Sequence, residues 1–449
     1  MPCSPSGLRA AATPSPSSPR RGTPPGWAPS RRKLSGRLRV STLDLPEVDG
    51  LPRGAESTAD VPPEKVGLLK KAFDGLAAPF AGLLAGLSRK PDWMILDFAQ
   101  DWVWPIAEEH KFACAMLLIY PVAFIGFIGP RHENEARPRT TTEDYMVPPP
   151  WIPFPSTLAY RRHEAEAVAA LFRPNASGVA DVDQFWQMHR PSSCRLAILR
   201  SCPEVEPRLF PLVTELFAKP VIPAGLLLPD DAVDDDTAAG ATAASVEAFF
   251  DAMKWLDAQP RRSVIYVALG SEAPVTADHV RELALGLELS GVRFLWALRR
   301  PAGHDGAQLP DGFEARVAGR GVVSTGWVPQ VRVLAHGAVG AFLTHCGWGS
   351  TVESLLRFGH PLVMLPFITD QGLIARTMAA QGVGVEVTRN EHDGSFGGED
   401  VAAAVRRVMV EEEGEEFARN ARKVQEVIGD RARQEQYMDE LVEHLHSYK

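Results

Sequence analysis

The second half of the chain alternates short apolar runs with longer segments in which apolar residues recur at helical spacing. Asp278–Leu289 is such a helical segment. Short continuous apolar runs between helical segments are typical of buried parallel strands. The pattern therefore predicts repeated strand–helix units around a parallel sheet, which is an α/β architecture. The predicted strands are Ser263–Ser271, Phe294–Leu298, Gly321–Ser324 and Ala341–Thr344.

The first half shows the same alternation from about Leu38 onward. Leu38–Leu45 alternates like a strand, and Val66–Leu87 has the apolar spacing of a helix. Trp93–Leu96 is predicted to be a buried strand that ends at Asp97. Two further short strands are predicted at Ala197–Arg200 and Val221–Ile222.

One long apolar run, Phe112–Gly129, has two interpretations. It approaches the length of a membrane-spanning helix, but Pro121 and its glycines divide it. A buried strand over Cys114–Ile119 followed by a short apolar helix explains the run better, because strands of parallel sheets are continuously hydrophobic. We therefore expect no membrane span.

The size of the chain allows two α/β domains. Its 449 residues are 45% hydrophobic and 23% charged, which is enough for two separate cores. An acidic, Gly- and Ala-rich segment, residues 229–245, is predicted to link them. We expect an N-terminal domain over residues 37–228, a second domain over 246–430, and a terminal amphipathic helix within 431–449.

Charge and cysteine content exclude several classes of function. The formal net charge of -9 argues against a nucleic-acid or acidic-membrane partner, since these are bound through basic patches. Five cysteines without CxxC spacing suggest neither a disulfide framework nor a zinc site. A cytoplasmic location fits this composition best.

Residues 1–36 differ from the rest. They are rich in Pro, Ser, Arg and Gly, with almost no hydrophobic periodicity, and are predicted to be disordered. Their Arg and Ser content without acids also resembles an organelle transit peptide, although the prolines oppose an amphipathic helix.

The segment from Trp327 to Gln371 concentrates groups that suit a nucleotide-sugar. The apolar run ending at Thr344 leads through His345 into a predicted helix, and a helix N-terminus offers unpaired N–H groups and partial positive charge to an anion. Ser350 adds a hydroxyl donor at this point. Glu353, one turn further along, can accept hydrogen bonds from ribose hydroxyls.

Other groups of the segment suit the remaining parts of such a ligand. Trp327 can stack on a flat base, and Asp370 and Gln371 can contact sugar hydroxyls. Ligands of open parallel sheets gather at the carboxyl ends of the strands, so the turn containing Gly270 and Ser271 can face the same crevice. Ser271 is therefore a further phosphate-binding candidate. Each residue taken singly has an ordinary structural explanation, and the combination at these spacings favours the site.

The segment resembles the signature box of the plant UDP-sugar glycosyltransferases, W-x-P-Q…H-C-G-W-N-S…E…P…D-Q. The resemblance implies that uracil stacks on Trp327 and pairs with the Val328 backbone, while Gln330 and Glu353 hold the ribose. It also implies that His345, Gly347 and Ser350 hold the diphosphate. Trp348, Asp370 and Gln371 would hold the sugar.

Two departures from that box stand out. Gly349 replaces the usual Asn, which removes one side-chain donor to the phosphates but keeps the backbone N–H. The box is also one residue longer than usual, and the surplus lies around Leu355–Phe358.

Segments such as RSCPEVEP and FLWALRRP extend the resemblance from about residue 38 to the end, towards the branch-forming group that adds glucose or rhamnose to glycosides. This implies a GT-B fold, two facing doubly wound domains with the cleft between them. It further implies inverting transfer from a UDP-sugar to a small-molecule acceptor, without a metal or another cofactor. Gln371 at the box end suits UDP-glucose, and UDP-rhamnose remains an alternative.

The catalytic histidine of that family has no counterpart here. Asp97 matches the carboxylate that orients it, but none of the twelve histidines precedes Asp97. The first strand, helix and second strand of the family are also missing, so the N-terminal domain is expected to be incomplete and unstable. One interpretation is that the first residues are an out-of-frame or wrongly started reading.

Two other functions are therefore considered. The chain could be a pseudoenzyme that binds UDP or a UDP-sugar without transferring it. A dinucleotide-dependent dehydrogenase would need G-x-G-x-x-G after its first strand, and Gly382–Gly384 lacks that context and is better explained as a buried strand.

Overall fold

Two large parallel sheets, one in each half, organise the chain. The computed structural model describes the backbone of Ala12–Ser15 and residues 40–174, 178–186, 194–228, 243–270, 273–298, 309–325 and 328–448. The predicted α/β architecture is confirmed, since apolar strands alternate with helices in both halves.

The N-terminal domain contains a four-stranded sheet in the order β3-β4-β5-β6. Its strands are β3 (Trp93–Leu96), β4 (Ala113–Leu118), β5 (Cys194–Leu199) and β6 (Val221–Pro223). Its helices are α1 (Val66–Asp74), α2 (Ala77–Ala85), α3 (Val103–His110), α4 (Val122–Ile128), α5 (Arg131–Ala136), α6 (Arg162–Ala170), α7 (Asp181–Trp186) and α8 (Leu209–Phe217). The predicted helix over 66–87 is thus two helices, separated at Gly75 and Leu76.

Strand β3 lies at the edge of this sheet. Only β4 pairs with it within the described residues, and its residues alternate in exposure, with Ile95 36% exposed. The predicted strand is therefore present with the expected bounds, but only Met94 and Leu96 are buried, because successive side chains of a strand point to opposite faces and the face of Trp93 and Ile95 is less covered.

Part of the segment predicted to be disordered forms a strand. β1 (Ala12–Ser15) pairs in parallel with β2 (Ser41–Asp44) in a separate two-stranded sheet. Pro14 is compatible with such an isolated pair, because an edge strand can lack one N–H donor. The rest of residues 1–36 lies outside the described residues.

The C-terminal domain contains a six-stranded parallel sheet in the order β12-β11-β10-β7-β8-β9. Its strands are β7 (Val264–Ala268), β8 (Arg293–Ala297), β9 (Gly321–Ser324), β10 (Val339–Thr344), β11 (Leu362–Met364) and β12 (Gly384–Glu386). Its helices are α9 (Ala243–Asp257), α10 (Ala277–Ser290), α11 (Phe313–Arg316), α12 (Gln330–Leu334), α13 (Trp348–Thr351), α14 (Gln371–Ala380), α15 (Gly398–Met409) and α16 (Glu412–Ile428). The strand order reverses between β7 and β10, so a crevice opens at their carboxyl ends.

The long apolar run Phe112–Gly129 contains strand β4 and helix α4, as predicted. No helix in the described ranges is long and apolar enough to cross a membrane.

The last helix, α17 (Arg431–Ser447), returns to the N-terminal sheet. Leu441 and Leu445 pack with Ile198 and Ile222, and the Trp93 indole donates to the Leu445 carbonyl at 2.7 Å. The two domains are therefore joined at the terminal helix as well as through the linker. The predicted linker, residues 229–245, lies outside the described residues except for its last three, which begin α9.

Candidate functional site

The crevice at the sheet reversal is lined by Gly270, just past β7, and by His345, just past β10. Gly270 has a φ of +72°, and a Cβ there would lie 2.7 Å from Cε1 of His345. A Cβ on Gly347 would lie 2.5 Å from Nε2 of the same ring. The imidazole is therefore enclosed between two positions that only glycine can occupy without displacing it.

His345 is a neutral group in this setting. Burial lowers its pKa to about 4, and its Nδ1 is buried without a hydrogen-bond partner in the described part of the chain. At neutral pH the ring can donate one N–H to an oxygen, but it adds no positive charge.

A tight turn directs the chain from β10 into α13. Cys346 has a φ of +63°, unusual for a residue with a side chain, and its N–H donates to Thr344 Oγ1 at 3.1 Å. Gly347 precedes the first helical residue, so the first N–H groups of the helix open towards the crevice.

The helix continues beyond Thr351 as a π-helical turn, Val352–Leu356. A π turn accommodates one residue more than an α turn over the same rise. It overlaps the region, Leu355–Phe358, in which the sequence places the surplus residue of the box. The insertion is therefore absorbed within the helix.

Three of the predicted ligand-binding side chains meet at this helix. Gln330, at the start of α12, donates from Nε2 to Glu353 Oε2 at 2.7 Å and to Ser350 Oγ at 3.4 Å. The structure thus brings together both residues expected at the ribose and one expected at the diphosphate. The Val328 side chain is buried in the core, so only its backbone can reach a base edge. Trp327 and Ser271 lie outside the described residues.

Asp370 is the N-cap of α14 and Gln371 is its first residue, at the end of the donor loop, residues 367–371. Gln371 is buried, and its Oε1 accepts hydrogen bonds from the N–H groups of Phe367 and Ile368 at 2.9 and 3.1 Å. This fixes the amide so that its NH₂ is the group left for a ligand. Burial raises the pKa of the Asp370 carboxyl to about 7.

The Trp348 side chain, which is predicted to hold the sugar, lies against the other domain. Its indole is buried and donates to the Arg200 carbonyl, at the end of β5 in the other domain, at 2.7 Å. An indole has one N–H donor, and this contact uses it. The side chain therefore joins the domains, and only the backbone of Trp348 remains for a ligand.

Other contacts from the N-terminal domain hold the donor loop, and no sequence pattern indicates them. The Tyr160 hydroxyl donates to the Thr369 carbonyl at 2.8 Å. Arg376 of α14 donates to Glu164 at 2.6 Å, with both side chains largely buried. These contacts fix the loop against the other domain.

Asp97 acts as a cap in this structure. Its Oδ1 accepts from the Ala99 N–H at 3.3 Å, its own N–H donates to Gln100 Oε1 at 2.7 Å, and burial raises the pKa of its carboxyl. Within the described residues no histidine hydrogen-bonds to it.

A cavity of about 570 Å³ lies in the N-terminal domain. Its wall is mainly apolar, with one ion pair between Lys70 and Asp181 at 2.6 Å, and Thr369 of the donor loop reaches it. Its aromatic lining residues are Phe73, Phe98, Tyr120, Phe124 and Phe185. The cavity is therefore adjacent to the part of the crevice where a sugar would lie.

The C-terminal half matches a family model described as UDP-glucoronosyl and UDP-glucosyl transferase, over residues 233–434. Over 414 residues the chain is 40% identical to UDP-glycosyltransferase 91C1 of Arabidopsis thaliana, covering 92% of this chain and 86% of that one. The chain belongs to the plant UDP-glycosyltransferases. It is also 36% identical to the soyasaponin III rhamnosyltransferase of Glycine max, over 93% and 86% of the two chains, which supports the branch-forming group.

Solved structures show that this glycosyltransferase has the GT-B fold. Os79 from O. sativa, in a complex with UDP, matches with a TM-score of 0.72 at 22% identity, covering 98% of this chain and all of that one. The predicted fold and family are therefore confirmed. The dehydrogenase alternative was wrong, and Gly384 begins strand β12 of the sheet.

Proposed function

We propose that this glycosyltransferase moves glucose or rhamnose from its UDP conjugate to a hydroxyl of a plant secondary metabolite or its glycoside. The observation that carries the proposal is the convergence of Gln330, Ser350 and Glu353 at the start of the helix that follows β10. A glycoside acceptor is suggested by the soyasaponin-active relative. We further propose that transfer inverts the anomeric centre and needs no metal.

The chemistry of the crevice suits the departure of UDP. Glu353 and Gln330 would hold the ribose hydroxyls, and the N–H groups at the start of α13, with the neutral His345 ring, would face the diphosphate. Fixed donors of this kind stabilise the negative charge that develops on a leaving group. Asp370 would accept from sugar hydroxyls, and the Gln371 NH₂ would donate to them.

The acceptor would occupy the N-terminal cavity. Its volume and its aromatic wall suit the apolar body of a polycyclic or flavonoid-like compound. Thr369 connects the cavity to the donor loop, so an acceptor hydroxyl directed at Thr369 would approach the sugar.

A second candidate function is binding of the UDP-sugar without transfer. Its support is the environment of Asp97, which caps a loop and contacts no histidine in the described ranges. An attacking hydroxyl must lose its proton to a positioned base, so turnover by this chain requires a base other than the family histidine.

Both functions are tested by one set of measurements on the full chain. Transfer of radiolabelled sugar from UDP-glucose and UDP-rhamnose to a flavonoid glycoside and a saponin is followed, while UDP is titrated by calorimetry. Glu353→Ala should weaken UDP binding, whereas Glu426→Ala, an exposed acid of the same domain, should not.

Transfer with an inverted product supports the first function. Glu353-dependent UDP binding without transfer to any acceptor supports the second. Absence of UDP binding by the wild-type chain contradicts both.

A further inference from the structure

Arg200 extends from the N-terminal domain to the place where the family box has an asparagine side chain. Gly349 leaves that place empty, and a Cβ built on Gly349 would lie 3.7 Å from Nη1 of Arg200. This is an ordinary contact distance, so the guanidinium adjoins the space into which a side chain at position 349 would extend. The place of the hydrogen-bond donor that the asparagine would supply is thus adjacent to a cation from the opposite domain.

Two contacts hold Arg200 in this position. Its Nε donates to the Leu226 carbonyl at 3.0 Å, and its own carbonyl accepts from the Trp348 indole at 2.7 Å. The second contact ties the Arg200 backbone to the residue that precedes Gly349. Hydrogen bonds hold both the backbone of Arg200 and its Nε. The position from which its two terminal nitrogens extend is therefore fixed.

The terminal nitrogens have no acceptor in the described part of the chain. Arg200 forms no ion pair there, and the one carboxylate whose charge acts on it is Glu353, which already accepts from Gln330. Burial lowers the pKa of Arg200, so the cation is partly removed from water without a protein acceptor in exchange. A partly buried guanidinium of this kind is a strong ligand for a phosphate, which it can bind with two parallel hydrogen bonds.

The turn that faces the diphosphate lacks positive charge of its own. His345 is neutral at physiological pH, and Gly347, Trp348, Gly349 and Ser350 are uncharged. The dipole of a helix N-terminus supplies only a partial charge. A UDP-sugar carries a negatively charged diphosphate. A full positive charge at this point would therefore neutralise much of that negative charge.

We infer that Arg200 is a donor-binding residue whose guanidinium contacts the diphosphate of the UDP-sugar and replaces the side chain that Gly349 lacks. The inference rests on the proposed donor site. It makes the diphosphate a bridge between the domains, because Arg200 belongs to one and the α13 N-terminus to the other. Occupation of the donor site therefore favours closure of the cleft.

The test measures UDP and uridine affinity by calorimetry in the full chain. Arg200→Gln should weaken UDP binding about 10- to 100-fold, the range expected for one charge-assisted hydrogen bond. Uridine, which has no phosphate, should bind the variant as it binds the wild type. Arg173→Gln, an exposed arginine of the same domain, is the matched control and should change neither affinity.

Gly349→Asn provides a second variant that leaves Arg200 intact. Added to the wild type, the asparagine should improve UDP affinity only slightly, because Arg200 already serves the phosphate. Added to Arg200→Gln, it should restore most of the lost affinity. This non-additivity measures whether the two positions serve the same group.

The outcomes separate this inference from the proposed function. Wild-type UDP binding that Arg200→Gln leaves unchanged, or an equal loss for UDP and uridine, overturns the role of Arg200 and leaves the donor site standing. If Arg200→Gln does not fold, a large gain in UDP affinity from Gly349→Asn alone overturns the role, and a small gain supports it. A wild type that binds neither ligand overturns the donor site and this inference together.

Discussion

Removal of the Glu164 carboxylate is expected to loosen the junction between the domains and, with it, the donor loop. Glu164 is buried on α6 and accepts from Arg376 at 2.6 Å and from the Arg161 N–H at 2.8 Å. Glu164→Ala leaves both donors without this acceptor. Within the described residues, the ion pair left to Arg376 is with Glu386, whose carboxylate lies 3.6 Å from Nη1.

The size of the effect follows from the burial of the pair. Breaking a buried ion pair by deleting one partner lowers the free energy of unfolding by about 3 to 5 kcal/mol. Because Arg376 keeps its contact with Glu386, we expect the lower value, about 3 kcal/mol, for Glu164→Ala. For a domain of this size, 1 kcal/mol shifts Tm by about 2 to 4 °C, so a loss of about 6 to 12 °C is expected.

The assay is thermal unfolding with Glu166→Ala as the control, since Glu166 is an exposed residue of the same helix. A double variant, Glu164→Ala with Arg376→Met, should be more stable than Glu164→Ala alone, because no uncompensated charge stays buried. Binding of UDP-glucose should weaken more than binding of UDP, because α14 starts at the donor loop. Equal Tm values for Glu164→Ala and Glu166→Ala would refute the reasoning.

Three further predictions concern the crevice itself. Burial raises the pKa of Asp370 to about 7, so the affinity for UDP-glucose relative to UDP should rise with pH around neutrality as the carboxyl becomes an acceptor. In Asp370→Asn this relative affinity should stay constant with pH. Calorimetry that shows a flat profile for the wild type contradicts this role of Asp370. The pKa of His345 is lowered to about 4, below its unfolded value of about 6.5, so the unfolded chain binds the proton better and stability falls as pH drops through this window. His345→Gln should lose less stability than the wild type over that window in urea unfolding, and parallel curves would count against the buried neutral ring. Gly270→Ala adds a methyl group 2.7 Å from that ring and should lower both Tm and UDP affinity, whereas Gly319→Ala, with a similar positive φ but no neighbour within 4 Å, should lower Tm alone.

Features encoded by neighbouring residues could be predicted from the sequence. β10 and the helix that follows it were predicted because an apolar run ends in small and polar residues. The convergence of Gln330 with Glu353 was anticipated only through the resemblance, since their 23-residue separation has no meaning without a known fold. The family, and through it the GT-B fold, followed from the same box.

Contacts between the domains could not be predicted in this way. The Trp348 indole can donate to any buried carbonyl. No local pattern shows that Arg200 provides this carbonyl. Asp97 matches a carboxylate that orients a histidine in the family, and its cap of the Ala99 N–H could not be predicted, because a strand-end carboxylate can accept from whichever N–H is nearest. The burial of Trp93–Leu96 was overestimated because the exposure of Trp93 and Ile95 depends on what covers their face of the sheet, which the sequence of the strand itself does not specify.

By these contacts the proposed donor site depends on both domains, although its motif lies in one. The motif places Ser350 and Glu353 on a single helix, and the C-terminal sheet alone is sufficient for that. Trp348, however, is anchored to the Arg200 carbonyl, and Thr369 is held by Tyr160. A ligand bound at the motif gains from these contacts only while the N-terminal domain is folded and docked, so UDP binding and the stability of that domain are thermodynamically linked. A substitution in β3 that destabilises the N-terminal domain should therefore weaken UDP binding, even though no residue of β3 belongs to the proposed donor site.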